Sequence, residues 1–360
     1  GDGDRGLQAV MDTFRRAAFA QPDEDLRPIE LACFGDGRRR VIIDTDPGID
    51  DTLALFLALK SPEIEVVGIT TIFGNVTTPR ASVNARLLTE MCGHHHVPVV
   101  EGALCALLEE NVSRVADFVH GKDGLGDCLS EQEKATSGAI IRTETAAKFI
   151  VRMARDQPDL TLICLGPLTN LALAVKEDNS LRDSIQVIVL GGAFYEPGNV
   201  NPVAEANIFG DPEAADLVFH KSGLNIHMLP LDTLHLCLFH EDRIHALARK
   251  GDHGKFINRI AQFYLDFHKN CGDTEIPGIF VHDAIAVALV VSPELFMTNS
   301  ATKVRVVTQG CTRGQTVALT GHRRYISAHG WSDGQAANVW VVTAIREAAM
   351  LTLMEERVVS

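Results

Sequence analysis

The stretch Val41-Ile42-Ile43-Asp44-Thr45-Asp46-Pro47-Gly48-Ile49-Asp50-Asp51 limits what this chain can fold into more than any other. An apolar run of strand type meets acidic residues with no polar spacer, and Pro47-Gly48 turns the chain between two acidic pairs. Thr52-Leu53-Ala54-Leu55-Phe56 then opens a helical pattern. The acids therefore sit where a strand ends and a helix begins. Carboxylates this close repel one another, so some stay protonated unless a cation neutralises them. Oxygen-only ligands suit a hard ion such as calcium or magnesium. The competing reading, a solvated acidic turn, fits poorly with a buried-type strand running straight into Asp44 and Asp46.

From residue 40 strand-like and helix-like segments alternate. Strands are expected at 40–45, 65–72, 97–100, 160–165, 186–190 and 225–230, with helices at 51–60, 80–92, 142–156, 168–177 and 212–222. This alternation predicts an α/β fold: an open, mostly parallel sheet with helices on both faces and the active site at the C-terminal ends of the strands. After residue 240 come helices at 241–250, 255–269 and 283–291, strands at 303–308, 315–320 and 337–342, and a last helix at 343–356. Residues 129–140 read as a long surface loop. No linker rich in Pro, Gly or Ser divides the chain, so 40–360 is expected to be one domain behind an N-terminal extension, 1–39. Within that extension, Gly1 to Val10 read as a leader added for expression and Met11 as a native start.

The 360 residues are 46% hydrophobic, enough for a large core, and the formal charge of −14 argues against nucleic acid or an anionic membrane as a partner. No apolar run is long enough to span a bilayer. The cysteines form no CxxC pair, and Cys164 and Cys237 lie inside apolar runs, which fits reduced thiols in a cytoplasmic protein. Cys92-Gly93-His94-His95-His96 carries metal-binding residue types but reads as the cap of the preceding helix. No P-loop is present, and no G-x-G-x-x-G opens a helix after a strand.

Acids and amides collect after the expected strands: Asn75 after the second, Gly166-Pro167-Leu168-Thr169-Asn170 after 160–165, and Asn199, Asn201, Glu205 and Asn207 after 186–190. Any one of these amides is more often a turn residue than a ligand. Together on one sheet edge they suit a metal ion plus a neutral, hydroxyl-rich molecule. The glycine-rich run Gly121 to Asp127 reads as a loop beside a pocket, with His120 at its edge. Val281-His282-Asp283 opens an apolar helix. Asp283 reads either as its N-cap with His282 packed alongside, or as a carboxylate completing a metal shell with His282 as proton donor.

These pieces resemble the nucleoside hydrolase family, the inosine-uridine preferring nucleoside hydrolases, from about residue 40 to the C-terminus. The acidic turn carries the resemblance. Four further blocks follow in the same order: Thr70-Thr71-Ile72-Phe73-Gly74-Asn75; Leu165 to Asn170; Asn199 through Glu205-Ala206-Asn207; and Val281-His282-Asp283. The resemblance implies hydrolysis of the N-glycosidic bond of ribonucleosides with a tightly held calcium ion. It implies Asp46, Asp51, Asp283 and the Leu165 carbonyl as calcium ligands, with Asp46 also the general base. Asp50 and Asn75 would hold the ribose hydroxyls, Asn199, Glu205 and Asn207 the rest of the sugar, and His282 would protonate the leaving base. Asp44 would support them from behind.

On the base side the resemblance points to segments like 120–125, 268–282 and the C-terminal strands, with His120 at the pocket, while Trp331 reads either as a ring that stacks on a purine or as a core or surface residue. The stretch 268–282 holds no tyrosine of the kind some members place near the base. His282 favours inosine and guanosine, with uridine as a further substrate. The partner is a small ribonucleoside, and the resemblance implies a homodimer or homotetramer. A phosphorolytic enzyme and a catalytically silent ribonucleoside-binding protein are the competing readings. The first lacks a phosphate site, and the second is at odds with the intact acid and amide set.

Overall fold

The computed structural model describes residues 26–31, 37–108, 115–134, 138–157, 159–271, 277–298, 300–319, 331 and 336–360. Its strands are β1 (Arg27–Pro28), β2 (Arg39–Thr45), β3 (Ile64–Thr71), β4 (Val99–Glu101), β5 (Ile140–Ile141), β6 (Leu160–Cys164), β7 (Ile185–Leu190), β8 (Asn225–Leu229), β9 (Leu238–His240), β10 (Gly278–Phe280), β11 (Phe296–Thr298), β12 (Val304–Val306), β13 (Thr316–Ala318) and β14 (Val339–Ile345). Ten of them form one sheet in the order β1-β11-β14-β8-β7-β6-β2-β3-β4-β5. Every pairing from β14 to β5 is parallel, and β11 and β1 add an antiparallel edge.

The strand order places the site. The chain runs outward from β2 through β3, β4 and β5, then returns to lay β6 on the other side of β2. That reversal opens a crevice at the carboxyl ends of β2 and β6, where ligands bind in sheets of this kind. Asp44 ends β2 there, and its carbonyl accepts the Leu165 N–H, just beyond β6, at 2.8 Å.

Both faces of the sheet are covered because its strands alternate. In β7, Ile188 and Leu190 face one apolar cluster while Val187 and Val189 face the other. The longer helices are α1 (Ile49–Lys60), α2 (Thr78–Met91), α3 (Ala146–Asp156), α4 (Thr169–Glu177), α5 (Pro212–Lys221), α6 (Gly251–Cys271), α7 (His282–Val291) and α8 (Glu347–Val358). Helices α1, α2, α6, α7 and α8 feed the first cluster, and α3, α4 and α5 the second. Helix α7 is apolar all round beyond its first two residues and is buried from Asp283 onward, as such a helix must be. Its burial carries His282 and Asp283 into the crevice.

Several expected boundaries move for local reasons. Pro98 has no N–H to donate, so β4 starts at Val99 rather than at 97. The last helix starts at Glu347 because β14 continues to Ile345 to pair with β11. The expected loop 129–140 contains a short helix, Glu131–Lys134, and runs into β5. The His94 N–H closes the end of α2 on the Thr89 carbonyl at 2.9 Å, so that tract does cap its helix. The seven described cysteines are free thiols, and Cys33 lies outside the described residues. Among the described residues no helix is long and apolar enough to cross a membrane.

Candidate active site

A cavity of about 450 Å³ opens at the crevice. Its floor is acidic. Asp50 and Asp51 sit in the first turn of α1, and Asp283 in the first turn of α7. Carboxylates suit helix N-termini, where the exposed N–H groups and the dipole favour negative charge. One oxygen from each of these three lies within 4.8 Å of the others. Asp51 is the best tied: Thr45 Oγ1 donates to Oδ1 at 2.5 Å, and the Gly48 N–H and Asn75 Nδ2 donate to Oδ2 at 2.9 Å each. Asp46 Oδ2 accepts the Asn75 N–H at 2.5 Å, while its buried Oδ1 has no hydrogen-bond partner. Behind them Asp44 accepts from Thr70 Oγ1 at 2.5 Å and Asn170 Nδ2 at 2.8 Å, cross-linking β2, β3 and the start of α4.

Burial makes this crowding costly. It pushes Asp44 and Asp50 up to about 7, the charge of Asp51 adding to the rise at Asp50. Asp46 is held well above the usual carboxylate range by burial first and then by Asp51. Asp283 is raised by burial and by the charges of Asp50, Asp51 and Asp46. The residues fit a divalent cation. Oxygen donors from two helix starts converge, and buried oxygens of Asp46 and Asp50 lack partners. The tight trio is Asp50, Asp51 and Asp283, whereas the sequence pointed to Asp46, Asp51 and Asp283. Asp46 is coupled to the trio by charge but lies outside that spacing.

Asn75, Leu165, Asn199, Glu205 and Asn207 line the cavity beside the acids. Glu205 caps the short helix Ala206–Gly210, taking the N–H groups of Asn207 and Ile208, and also binds the Gly192 N–H. Asn207 Nδ2 donates to the carbonyls of Leu165 at 2.8 Å and Leu190 at 3.2 Å, joining the ends of β6 and β7. Asn199 Oδ1 accepts the Ala206 N–H at 2.9 Å.

The opposite wall is built of rings. His120, Tyr264 and His268 follow one another, with centroids 5.2 and 4.4 Å apart. Phe280 stacks on His235 at 4.6 Å and on His282 at 5.5 Å. Burial keeps two of these imidazoles neutral: His120 falls to about 3, and His282 drops well below its ordinary value, helped by His235, His268 and His120. His120 Nδ1 lies 3.9 Å from Asp50 Oδ1, yet the two are no ion pair. That nitrogen accepts the Ile49 N–H at 3.2 Å and so carries no proton. The Nε2 of His282 has no hydrogen-bond partner.

The cavity thus gathers Asp50, Asn75, His120, Asn199, Glu205, Asn207, His282, Asp283 and Leu165, with Asp46 and Asp51 behind its surface. Trp331 does not line it. Tyr264, Phe267, His235 and Glu196 line it without having been singled out. Tyr264, Phe267 and His268 share a face of α6 at positions i, i+3 and i+4, a spacing visible in the sequence. His235 and Glu196 carry no such mark.

The model of the inosine-uridine preferring nucleoside hydrolase family matches residues 41–352. Uridine nucleosidase 1 of Arabidopsis thaliana is 44% identical over 309 residues, covering 84% of this chain and 89% of that protein. The inosine-uridine preferring nucleoside hydrolase of Leishmania major is 36% identical over 285 residues, covering 78% and 87%. Among solved structures, a plant nucleoside hydrolase, the PpNRh1 enzyme, superposes with a TM-score of 0.83 at 38% identity, covering 89% of this chain and 99% of that one.

Proposed function

The chain belongs to the inosine-uridine preferring nucleoside hydrolase family and is an N-glycosyl hydrolase of ribonucleosides, and on that premise we propose uridine as its first substrate, inosine as its second and calcium as its cation. The carrying observation is one cavity with a carboxylate floor facing a ring-lined wall that includes the buried His120 and the half-buried His282. The sequence alone favoured inosine and guanosine. Relatives at 43–44% identity are named for uridine, and that moves uridine to the front.

Hydrolysis joins a water oxygen to C1′ and breaks the C1′–N bond, whose electron pair leaves with the base. Asp46 takes a proton from that water at its unpartnered Oδ1. Asp50 and Asn75 face the ribose hydroxyls, and Asn199, Glu205 and Asn207 take the rest of the sugar. As the bond lengthens the ribose gains positive charge. Carboxylates already fixed in a buried site favour that charge more than water would. His282, through its unpartnered Nε2, passes a proton to the departing base and regains it from the one Asp46 took from water, so water's hydroxyl ends on the ribose and its proton on the base. When bound to Asp46, Asp51, Asp283 and the Leu165 carbonyl, with Asp50 alongside, calcium supplies Lewis acidity and neutralises the floor.

No Lys or Arg is among the described residues lining the cavity, which disfavours phosphorolysis, since bound phosphate needs such partners. The free thiols support a reducing, cytoplasmic setting. Uridine incubated with the protein and calcium in phosphate-free buffer should yield free uracil and ribose in equal amounts. No ribose from uridine, inosine or guanosine, or a product that forms only with phosphate, would overturn the reading.

A further inference from the structure

Asn84 lies on α2, behind the cavity, among buried Ala81, Ala85 and Leu88. Its Nδ2 donates to the Pro47 carbonyl at 3.0 Å and to the Asp123 carbonyl at 2.8 Å. Its Oδ1 is buried without a partner. A buried acceptor left unmet costs stability, so an apolar residue here would serve stability as well or better. The amide therefore has to be explained by what its two N–H bonds join.

They join two segments that meet at His120. Pro47 precedes the Gly48-Ile49 step, whose Ile49 N–H donates to His120 Nδ1 at 3.2 Å. Asp123 lies just past His120 on the loop where the Gly126 N–H returns to the His120 carbonyl at 2.8 Å. The junction is too close for side chains at its glycines. A Cβ on Gly48 would come within 2.8 Å of His120 Nδ1, and one on Gly124 within 2.9 Å of Asn84 Nδ2. Because Nδ1 is an acceptor there, the proton of the neutral ring sits on Nε2, on a residue that lines the cavity.

We propose that Asn84 is a positioning residue for His120. By clamping the acidic turn to the 120–126 loop it holds the Ile49 N–H against Nδ1, and so presents Nε2–H to the substrate's base. This rests on the reading that the ring-lined wall receives the base. The acidic turn keeps ties of its own, from Thr45 and Asn75 to Asp51. Loss of the clamp should therefore disturb His120 far more than the floor.

The test uses the full chain labelled with ¹⁵N-histidine, with His120 assigned from the signal lost in His120→Gln. In the wild type, imidazole nitrogen shifts should show a bare Nδ1 and a protonated Nε2. In Asn84→Leu, and less fully in Asn84→Ser if the leucine variant does not fold, the two shifts should move toward each other. In the same variant kcat/KM for uridine should fall about 10- to 100-fold, as when a reacting group is misplaced by about 1 Å. Turnover of a nitrophenyl riboside, whose leaving group needs no proton, should fall no more than about 3-fold. Unchanged nitrogen shifts in a folded variant, or equal losses on both substrates, overturn the proposal. If the wild type cleaves no nucleoside, the functional reading fails, and the nitrogen shifts still decide whether Asn84 sets the His120 ring.

Discussion

The floor of the cavity takes Asp50 and Asp51, with Asp46 behind them, from one eight-residue stretch, 44–51, and Asp283 from the start of α7, while the facing wall takes His120, His235, Tyr264 and His282 from four separate segments. Floor side chains are locked by short polar contacts at strand ends and helix starts, as Asp51 is by Thr45, Gly48 and Asn75. Wall side chains meet ring against ring. The floor is crowded with charge that burial resists, and His120 and His282 of the wall are held neutral by the same burial. The difference teaches a division of labour. On the proposed reading, carboxylates and amides fixed at strand ends and helix starts take what every ribonucleoside shares, its ribose, and the ring-lined wall takes what differs, the base.

The largest effect that division predicts is at Asp51. Asp51→Ala should lower kcat/KM by about 10³-fold or more on uridine and inosine alike, within the range seen when acid–base and metal-binding groups are lost. Ribose release measures the rate and circular dichroism confirms the fold. A loss confined to one nucleoside would break the division.

Stability should respond to pH in opposite senses in the two regions. Asp44 and Asp50 are raised to about 7, so without a cation their contribution is fully present below the unfolded carboxylate value, about 4. It is lost as pH rises through about 7. His120 is lowered to about 3, so its contribution is present above the unfolded imidazole value, about 6.5, and is lost as pH falls from there toward 3. Thermal unfolding of the cation-free protein should therefore weaken from pH 5 to 8 through the floor. Calcium should raise the midpoint more at pH 8 than at pH 5. His120→Gln should flatten the loss of stability on the acid side of pH 6.5 and leave the floor's slope unchanged. An equal calcium effect at both pH values would contradict the account of the floor.

Smaller effects lie along the wall. Phe267 lines the cavity beside Tyr264, so Phe267→Ala should raise KM for uridine about 3- to 10-fold, the worth of one aromatic contact. Trp331 lies off the lining, and Trp331→Ala should change uridine kinetics by less than about 2-fold. A larger effect at Trp331 than at Phe267 would relocate the base.

What could be read from the sequence follows the same line. The acidic turn, Asn75, Glu205 and Asn207 were legible because a parallel sheet delivers its strand ends to one edge, and those residues lie on the segments that leave β2, β3 and β7 there. The alternation that predicts the sheet is strong in β2, β6 and β7, where burial on both faces demands unbroken apolar runs. Strands β1, β5 and β11 are two or three residues long, too short for a period to show. That Asp50, not Asp46, joins Asp51 and Asp283 in the tight trio depends on side-chain directions at two helix starts, which spacing does not encode. His235 reaches the cavity only because Phe280 and His282 come to meet it from β10 and α7. No local pattern announces such a meeting.

The most direct test of the division compares uridine with a nitrophenyl riboside in one phosphate-free assay with calcium, for the wild type, Asp51→Ala and His282→Ala. Asp51→Ala should lose both substrates to the same degree. His282→Ala should lose about 10²- to 10⁴-fold on uridine and almost nothing on the nitrophenyl riboside, whose leaving group departs without a proton. Equal losses on both substrates in His282→Ala would contradict the assignment of the base to the wall.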